Sequence, residues 1–434
     1  MSTNKPRVLI LGGGFGGMYA ALEFERALAR GAKLDVTLVN HDNFFLFTPM
    51  LHEVAASDLD ITNIVSPIRK LLSRVTFFHG EIETIDLVHQ RVGVSHGHEN
   101  HCHSLPYDHL VLALGSTTNF FNIPGLAKRA FTMKSLSDAI VLRNHLIANL
   151  EEADFECGAS RAPLLHFVVA GGGFAGVETI AAMNDFLREA VRFFPHLRED
   201  MLRVILVSSG PVILPELGEK LGTYAQRKLG EQKVEIRSNC RVTAVKGQDV
   251  TLSDGTSVTT NTLVWTAGIS PHALLDTLPC QKTNGRVLVN EYLEVPEWPG
   301  VWALGDCALV PDHRTGEFHP PTAQHALREG QVAAQNILAT VRNGWKRPFR
   351  YSTIGLLVPI GKRTGVANIL GVNFSGFIAW WLWRTIYLLK LPRFEKKVLV
   401  ALDWTLDVLF SKDLVHFKTT RTPALPTIKQ SELH

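Results

Sequence analysis

The strongest constraint on the fold is a pattern that occurs twice along the chain. RVLILGGGFGGMYAALEFERAL (7–28) and LLHFVVAGGGFAGVETIAAMNDFL (164–187) each pass from an apolar, strand-like run through a glycine cluster into helical spacing. Both clusters fit G-x-G-x-x-G, with glycines at Gly12, Gly14 and Gly17 and at Gly171, Gly173 and Gly176. Such glycines make a tight turn, let backbone approach a pyrophosphate and let the helix pack on the strand. Two loops of this kind predict two dinucleotide-binding units.

The second strand of such a unit normally ends in an acid that holds the ribose hydroxyls. Here DVTLVNHD (35–42) places Asn40 at that point, and RVILVSSG (203–210) places Ser208. Asn40 still offers a donor and an acceptor to a ribose. Ser208 brings no carboxylate to repel a 2′-phosphate, yet no arginine follows at once to bind one. We therefore expect NADH at the second loop, with NADPH left open.

Composition excludes several classes of function. At 434 residues, with 46% hydrophobic and 20% charged side chains, the chain is globular and long enough for two or three domains. A net charge of +3 without an arginine-rich stripe argues against nucleic acid as a partner. Five scattered cysteines predict a reducing compartment, and only a pair distant in sequence stays open as a redox dithiol. The first apolar run is too short for a signal peptide.

Three further segments have the form of a strand that ends in a glycine turn: YDHLVLALGSTTNFFNIPG (107–125), TLVWTAGISPH (262–272) and GVWALGDCA (300–308). In the last, Asp306 can accept hydrogen bonds from a ribityl chain beside a phosphate. In this order the segments resemble the two-dinucleotide-binding-domain flavoproteins, with FAD at the first loop and NAD(P)H at the second. FFLFTPMLHEVAAS (44–57), GGGFAGVE with Glu178, and PPTAQHALREG (320–330) narrow the resemblance to the type II NADH:quinone oxidoreductases.

The resemblance implies an α/β fold with two Rossmann-like dinucleotide-binding domains, similar to glutathione reductase, and a C-terminal amphipathic helical segment that docks on a membrane. The implied boundaries are 1–125 and 285–345 for a split FAD domain, 126–284 for the NAD(P)H domain, 346–417 for membrane docking and dimerisation, and 418–434 for a disordered tail. The implied FAD contacts are Gly12, Gly14, Phe15, Gly16, Gly17, Asn40, Pro49, Gly115, Gly305, Asp306, Ala323 and Gln324. The implied NAD(P)H contacts are Gly171, Gly173, Phe174, Ala175, Gly176, Glu178, Ser208, Ala267 and Gly268.

The implied reaction moves two electrons from NADH through FAD to a membrane quinone. By similarity, Gln324 would hydrogen-bond a quinone carbonyl, and His325 would do the same or supply a proton. The alternative is that both residues only cap the helix after the two prolines. Arg328 and Glu329 stand where the family often has glutamines, which leaves the outer quinone contacts open. Lys362 matches a basic position near the quinone entrance, or is an exposed hairpin lysine.

Glu178 follows the second glycine loop on the same predicted helix. The resemblance implies a catalytic role near the nicotinamide and the flavin, where it would link hydride arrival to proton or quinone handling. The alternative is that the Glu178 carboxylate only interacts favourably with the dipole at the N-terminus of its helix.

One conspicuous cluster, HGHENHCHSLPYDH (96–109), is rich in histidine. It lies between two strand-like runs and has no structural-zinc spacing. We therefore expect a solvated hairpin tip there, and no metal site.

The C-terminal stretch 376–410 is unusually apolar. No run reaches the ~18 uncharged apolar residues of a spanning helix, so we expect no transmembrane segment. Val398, Leu399, Leu402, Leu406, Leu409 and Phe410 share one helical face, opposite Lys396, Asp403 and Asp407. Four tryptophans of this stretch suit the lipid headgroup region: Trp380, Trp381, Trp383 and Trp404. Residues 374–421 contain eight Lys/Arg and only four Asp/Glu, a positive surplus that suits anionic lipids. We expect a peripheral protein on the cytoplasmic face of the cell membrane, without proton pumping; a hairpin in a homodimer interface is the alternative or an addition.

Three other functions stay open at this point. A sulfide:quinone oxidoreductase shares the fold but needs a cysteine pair near the flavin, and no cysteine follows Cys307. A soluble NAD(P)H reductase of a protein acceptor would not need the tryptophan-rich stretch. A redox-sensing scaffold would bind NADH and oxidise it slowly.

Overall fold

The computed structural model describes residues 5–97 and 99–416. The predicted tail at 418–434 lies outside these residues, as does His98 of the histidine cluster. Along the described chain the α-helices are α1 (Phe15–Ala29), α2 (Leu51–Ala55), α3 (Ile68–Leu71), α4 (Leu126–Arg129), α5 (Leu136–Phe155), α6 (Arg161–Leu165), α7 (Phe174–Ala190), α8 (Gly218–Glu231), α9 (Ala323–Val341), α10 (Phe377–Lys390) and α11 (Phe394–Leu409).

A parallel sheet organises the first unit. Its strands, in spatial order, are Val301–Ala303, His109–Leu112, Arg7–Leu11, Asp35–Asn40 and Thr76–His79. The strand Val301–Ala303 thus pairs with His109–Leu112, although about 190 residues separate the two strands in sequence. Parallel strands end at the same edge of a sheet, so the loops that follow them meet there.

A second parallel sheet repeats the arrangement. Its order is Val234–Arg237, Arg203–Val207, His166–Ala170 and Thr262–Trp265. The antiparallel pair Ser116–Thr118 and Ile269–Pro271 links the two units. The predicted α/β fold with two Rossmann-like units is confirmed.

Smaller sheets complete the described chain. Three are antiparallel and three-stranded: Glu81–Asp86, Arg91–His96 and His101–Pro106; Val242–Lys246, Asp249–Leu252 and Ser257–Thr259; Gly355–Pro359, Gly365–Ile369 and Val372–Gly376. The others are Lys282–Thr283, Arg286–Leu288 and Ala308–Leu309; Pro311–Asp312 and Glu317–Phe318; Phe44–Leu46 and Val65–Pro67.

The two C-terminal helices cover α2 and α7 with the polar side of α11 turned inward. Asp403 Oδ2 accepts hydrogen bonds from the Asn63 side chain at 2.6 Å and the Asp60 amide at 3.2 Å, and Lys396 donates to the Thr62 carbonyl at 2.6 Å. The apolar face is left outward: Leu402 is 51% exposed and Leu409 69%. This is the reverse of an ordinary surface helix, which buries its apolar side.

The expectation that all four tryptophans of this stretch lie among lipid headgroups is wrong for two of them. Trp383 and Trp404 are buried against the protein body, while Trp381 is 54% exposed. Trp404 points to the polar side of α11, where its indole meets the buried Glu53. In the part of the chain that the structure describes, no helix is long and apolar enough to cross a bilayer.

Candidate functional site

The first glycine loop joins Arg7–Leu11 to α1 in the geometry that the motif predicts. Gly12 has a φ of +103°, which disfavours any side chain, and a Cβ on Gly17 would overlap the Gly12 carbonyl. At Gly14, by contrast, a Cβ would meet no atom of the described chain within 4 Å. The loop is therefore tightly packed at Gly12 and Gly17 and open at Gly14, where a pyrophosphate would lie. Gly16 lets α1 approach the Leu304 side chain.

The other predicted FAD residues gather at the same edge of the first sheet. Asn40 ends the neighbouring strand and accepts a hydrogen bond from the Gly13 amide at 2.7 Å. On the other side, the Ser116 hydroxyl donates to Asp306 at 2.5 Å, and the Lys134 ammonium donates to Ser116 at 2.6 Å. Gly115 and Gly305 precede these two residues with φ of +69° and +68°.

Aromatic packing fixes the remaining residues predicted on this side. The Phe15 ring lies 5.1 Å from that of Phe45 and 5.8 Å from that of Phe47. Pro49 lies in the short 3₁₀ turn Thr48–Met50, which leads from Phe47 into α2. The loop that carries Pro49 is thus held against the N-terminus of α1.

The second glycine loop reproduces the first. Gly171 has a φ of +134°, a Cβ on Gly176 would overlap the Gly171 carbonyl, and a Cβ on Gly173 would meet no described atom within 4 Å. Phe174 and Ala175 form the first turn of α7. Gly268 allows close approach of Phe121 and the Asn119 carbonyl, whose residues connect the two units.

A pocket of about 990 Å³ opens beside this second loop. Ser208 and Ala267 line it, as predicted, together with Ser209 and Arg241. Arg241 was missed from sequence because it follows a different strand, 33 residues after Ser208. Glu216 and Glu219 also line the pocket, so its charge is mixed.

Glu178 lies on α7 with its side chain largely buried between α7 and α2. Its Oε2 is 3.8 Å from His52 Nδ1. Burial lowers the pKa of His52 to about 3, so the imidazole is neutral at neutral pH. Burial also raises the pKa of Glu178 well above its usual range, and the nearby Glu53 raises it further. A buried carboxyl with a raised pKa beside an imidazole suits acid–base chemistry better than a helix-dipole contact.

A cavity of about 360 Å³ adjoins Glu178 and is bordered by α2, α7, α10, α11 and the turn that carries Lys362. Its lining includes the charged residues Glu53, Asp58, Asp185, Lys362, Arg384 and Asp407. Lys362 forms an ion pair with Glu189 at 2.7 Å. The structure thus brings Lys362 to the cavity that Glu178 lines; Gln324 and His325 are not among the described residues that line it.

Gln324 and His325 begin α9, which Thr322 caps by accepting a hydrogen bond from the His325 amide. Ala323 is the first residue of this helix. The Gln324 amide is held on both sides: it donates to the Gly355 carbonyl at 3.0 Å and accepts from the Tyr351 hydroxyl at 3.0 Å. His325 is buried between the rings of His319 and Tyr351. Burial lowers the pKa of His325 to about 4, which makes it a poor proton source at neutral pH.

The two departures from the family pattern have distinct structural roles. Arg328 lies over the Tyr351 ring at 4.1 Å and donates to the Gln324 carbonyl. Glu329 is buried and accepts a hydrogen bond from the Gly305 amide at 2.7 Å, and burial raises its pKa to about 7. Glu329 therefore supports the turn before Asp306.

An aromatic group that sequence reasoning missed connects α9 with Glu178. Tyr387 on α10 packs 5.0 Å from Trp383, and Lys390 lies 5.1 Å above the Tyr387 ring. Burial and the neighbouring Arg328 lower the pKa of Lys390, whereas burial and the neighbouring Glu178 raise that of Tyr387. The only sequence signal for this group was the aromatic density of 376–410.

The cysteines and histidines show no comparable arrangement. All five cysteines are free thiols, and burial raises the pKa of Cys307, beside Asp306, to about 11. A thiol so reluctant to ionise is a poor nucleophile. The histidine cluster forms the hairpin Arg91–His96 and His101–Pro106, and the described residues include no group of three or more side chains placed to hold a metal ion.

The geometry fits one dinucleotide at each of the two sheet edges, and comparison with known proteins supports FAD and NADH as the cofactors. Residues 6–330 match the pyridine nucleotide-disulphide oxidoreductase family, and 354–413 match the NDH2 C-terminal domain. The chain is 34% identical to the type II NADH:quinone oxidoreductase Ndh of Mycobacterium tuberculosis, over 94% of this chain and 89% of that protein. It is 31% identical to the demethylphylloquinone reductase NdbB of Synechocystis sp., over 93% and 96%.

The fold agrees as well. It is similar to the structure of NDH2 from Plasmodium falciparum in complex with NADH, with a TM-score of 0.87, 20% sequence identity and coverage of 95% of this chain and 100% of that one. The resemblance drawn from the motifs is confirmed. The chain belongs to the type II NADH:quinone oxidoreductases, within the pyridine nucleotide-disulphide oxidoreductase family.

Proposed function

We propose that the chain performs its family's reaction where α9, α10 and Glu178 meet, passing two electrons from NADH to a membrane quinone without pumping protons. FAD, when bound, supplies the electron relay between the two substrates. The carboxyl ends of the first sheet hold it through the loop at Gly12 to Gly17, Asn40, Gly115 and Asp306, and Glu329 supports that edge. The loop at Gly171 to Gly176, with Ser208 and Ala267, holds NADH.

The observation that carries this proposal is the position of the outward apolar helices over Glu178. Trp404 of α11 donates to Glu53 at 3.1 Å, and Glu53 adjoins His52, the neighbour of Glu178. The helices whose outward faces suit lipid therefore cover Glu178, the residue that suits proton transfer. A quinone, which resides in the bilayer, can reach such a site without crossing water.

The contacts along α9 and α10 support a quinone position between Gln324 and Tyr387. Gln324 is oriented by Tyr351, Tyr351 is covered by Arg328, and Lys390 lies over Tyr387. In this proposal Gln324 hydrogen-bonds a quinone carbonyl. The buried, neutral His325 holds the start of α9 and contributes by orientation rather than as an acid. Lys362 acts from the cavity on the Glu178 side.

Membership of the two parallel sheets supports the domain boundaries 1–125 and 285–345 for one unit and 126–284 for the other, with 346–417 as the C-terminal region. We place the protein on the cytoplasmic face of the membrane, which its free thiols support. A homodimer through the C-terminal region is part of the proposal. Sedimentation equilibrium in mild detergent should give twice the 48.1 kDa chain mass; a single chain mass would contradict it.

Membrane attachment is best tested by charge on the outward face of α11. A truncation would also expose Trp383 and Trp404, so substitution is the cleaner change. The double variant Leu402→Glu and Leu406→Glu should no longer sediment with anionic liposomes, because each glutamate costs several kcal/mol in an apolar phase. Its flavin content should stay that of the wild type. Unchanged sedimentation would refute the proposed membrane surface.

Electron transfer is tested by following flavin absorbance without oxygen. NADH should bleach the flavin quickly, and a short-chain quinone should restore its colour quickly. Bleaching without recovery by quinone would point to another acceptor. Slow bleaching would favour a redox-sensing scaffold.

A further inference from the structure

The reaction needs a proton that its substrates do not supply. NADH gives up a hydride, which carries two electrons and one proton, whereas a quinone takes up two electrons and two protons to become a quinol. One proton per turnover must therefore come from water. Because the quinone arrives from the lipid side, where α10 and α11 exclude water, that proton has to pass through protein. This inference rests on the proposed function.

The cavity beside Glu178 joins this residue to exposed charged side chains. Its inner wall is formed by His52 and Glu178, and Lys362 and Arg363, both exposed, form its outer rim. At about 360 Å³ it has room for several water molecules.

Groups inside the cavity require hydrogen-bond partners. Among the described residues, Asp407 Oδ1 and Arg384 Nε are buried and make no hydrogen bond. Buried polar atoms in a roomy polar site are normally satisfied by ordered water. The cavity thus offers positions for ordered water beside its charged side chains.

Glu53 lines this cavity beside His52. The groups that face it come from every wall: Arg384 from α10, Trp404 and Asp407 from α11, Asp58 after α2, and Glu178 from α7. One oxygen of Glu53 accepts the Trp404 indole N–H at 3.1 Å, which leaves the other oxygen free to hold a proton.

We propose that the cavity is the proton entry route of the quinone reaction, and that Glu53 relays each proton through cavity water to Glu178. Glu53 acts through Glu178 and not on the substrate, so it is a positioning residue. Consistent with this role, burial raises the pKa of Glu53 to about 8, which keeps the carboxyl protonated at neutral pH.

The test compares Glu53→Gln with the wild type in two separate half-reactions of the flavin-loaded protein. The glutamine amide oxygen can still accept from Trp404, but it cannot carry a proton. Bleaching by NADH takes no proton from water and should be unchanged. Recovery with a short-chain quinone should slow roughly 10- to 100-fold. The larger figure is the lower end of the rate enhancement that a positioned acid typically contributes. The wild-type recovery rate should also fall above about pH 8, and the variant should lack this limb.

Asp403→Asn is the matched control. It removes a carboxylate from the same polar side of α11 but outside the cavity lining, so its recovery rate should match the wild type. An equal slowing of both variants would mean that looser packing of α11 is the cause, and would overturn the relay. If Glu53→Gln does not fold, Asp185→Asn tests the same passage from α7, with a smaller slowing expected.

A readout without turnover completes the test. The infrared band of a protonated carboxyl should be present in the wild type at pH 7 and diminished in Glu53→Gln. Fast recovery of both proteins with quinone would refute the relay and leave the function standing. No recovery of the wild type would instead refute the proposed function.

Discussion

The two nucleotide-binding units share one backbone design and differ in the side chains placed around it. In both, the first glycine has a positive φ, the last one abuts its carbonyl, and the middle one faces open space. Seven positions after the first glycine, however, the first unit has Tyr19, packed on Phe15 and Phe45, and the second has Glu178, buried beside His52. The backbone sets where a pyrophosphate would lie, and the side chains around it set what chemistry each unit could support.

The largest expected effect comes from breaking either loop. Gly17→Ala and Gly176→Ala each force a Cβ onto a glycine carbonyl, a clash of about 1–3 kcal/mol or more. Gly17→Ala should lose most of its FAD, measured as the flavin-to-protein absorbance ratio. Gly176→Ala should keep FAD and fail to bind NADH in a titration. Full FAD in the first variant would contradict the equivalence of the loops.

The next effect tests the position at which the units differ. Glu178→Gln should lower quinone-dependent turnover by about 100-fold, since it removes a positioned acid, and should leave FAD content intact. Tyr19→Phe, at the matching position of the first unit, should stay near wild type in both measurements. Unaltered steady-state kinetics of Glu178→Gln would refute the catalytic role of Glu178.

The third test concerns a buried acid of the first unit. The pKa of Glu329 is about 7 in the folded chain, above the usual 4.5, so the folded state binds more protons. Its contribution to stability is therefore complete below about pH 4.5 and is lost as the pH rises through about 7, by about 3 kcal/mol. Glu329→Gln should flatten this slope in denaturant unfolding between pH 5 and 8. An equally steep slope in the variant would exclude Glu329 as its source.

The smallest expected effect concerns the residue at the end of the second strand of each unit, Ser208 in one and Asn40 in the other. Ser208→Asp should weaken NADPH binding about tenfold relative to NADH, because a carboxylate repels the 2′-phosphate at a cost of about 1.4 kcal/mol. Asn40→Asp, the matching change in the first unit, should leave this ratio alone. The measurement is the Kd of each nucleotide. Equal weakening of both nucleotides would place the 2′-phosphate away from Ser208.

The parts of the site that sequence could predict are those that local backbone rules decide. The glycine loops, Asn40, Ser208 and Asp306 follow strands whose ends a parallel sheet brings together, so spacing alone locates them. The relation of Trp404 to Glu53 joins residues 351 positions apart, and no periodicity reports such a contact. Periodicity did find both faces of α11, but not which face meets the body. That is why Trp404 was misplaced, although Glu53 within the apolar PMLHEVAA was a signal.

The inward polar side of α11 has a consequence for the order of assembly. Asp403 and Lys396 fasten the helix to Asn63 and Thr62 through hydrogen bonds, so its place does not depend on lipid. A segment that folds only on a bilayer loses conformational entropy at the moment of contact and binds less tightly for it. Here the conformational entropy of α11 is already lost when the chain folds in water, before it meets the membrane. The protein meets the membrane as a finished surface, and adsorption and release can proceed without refolding.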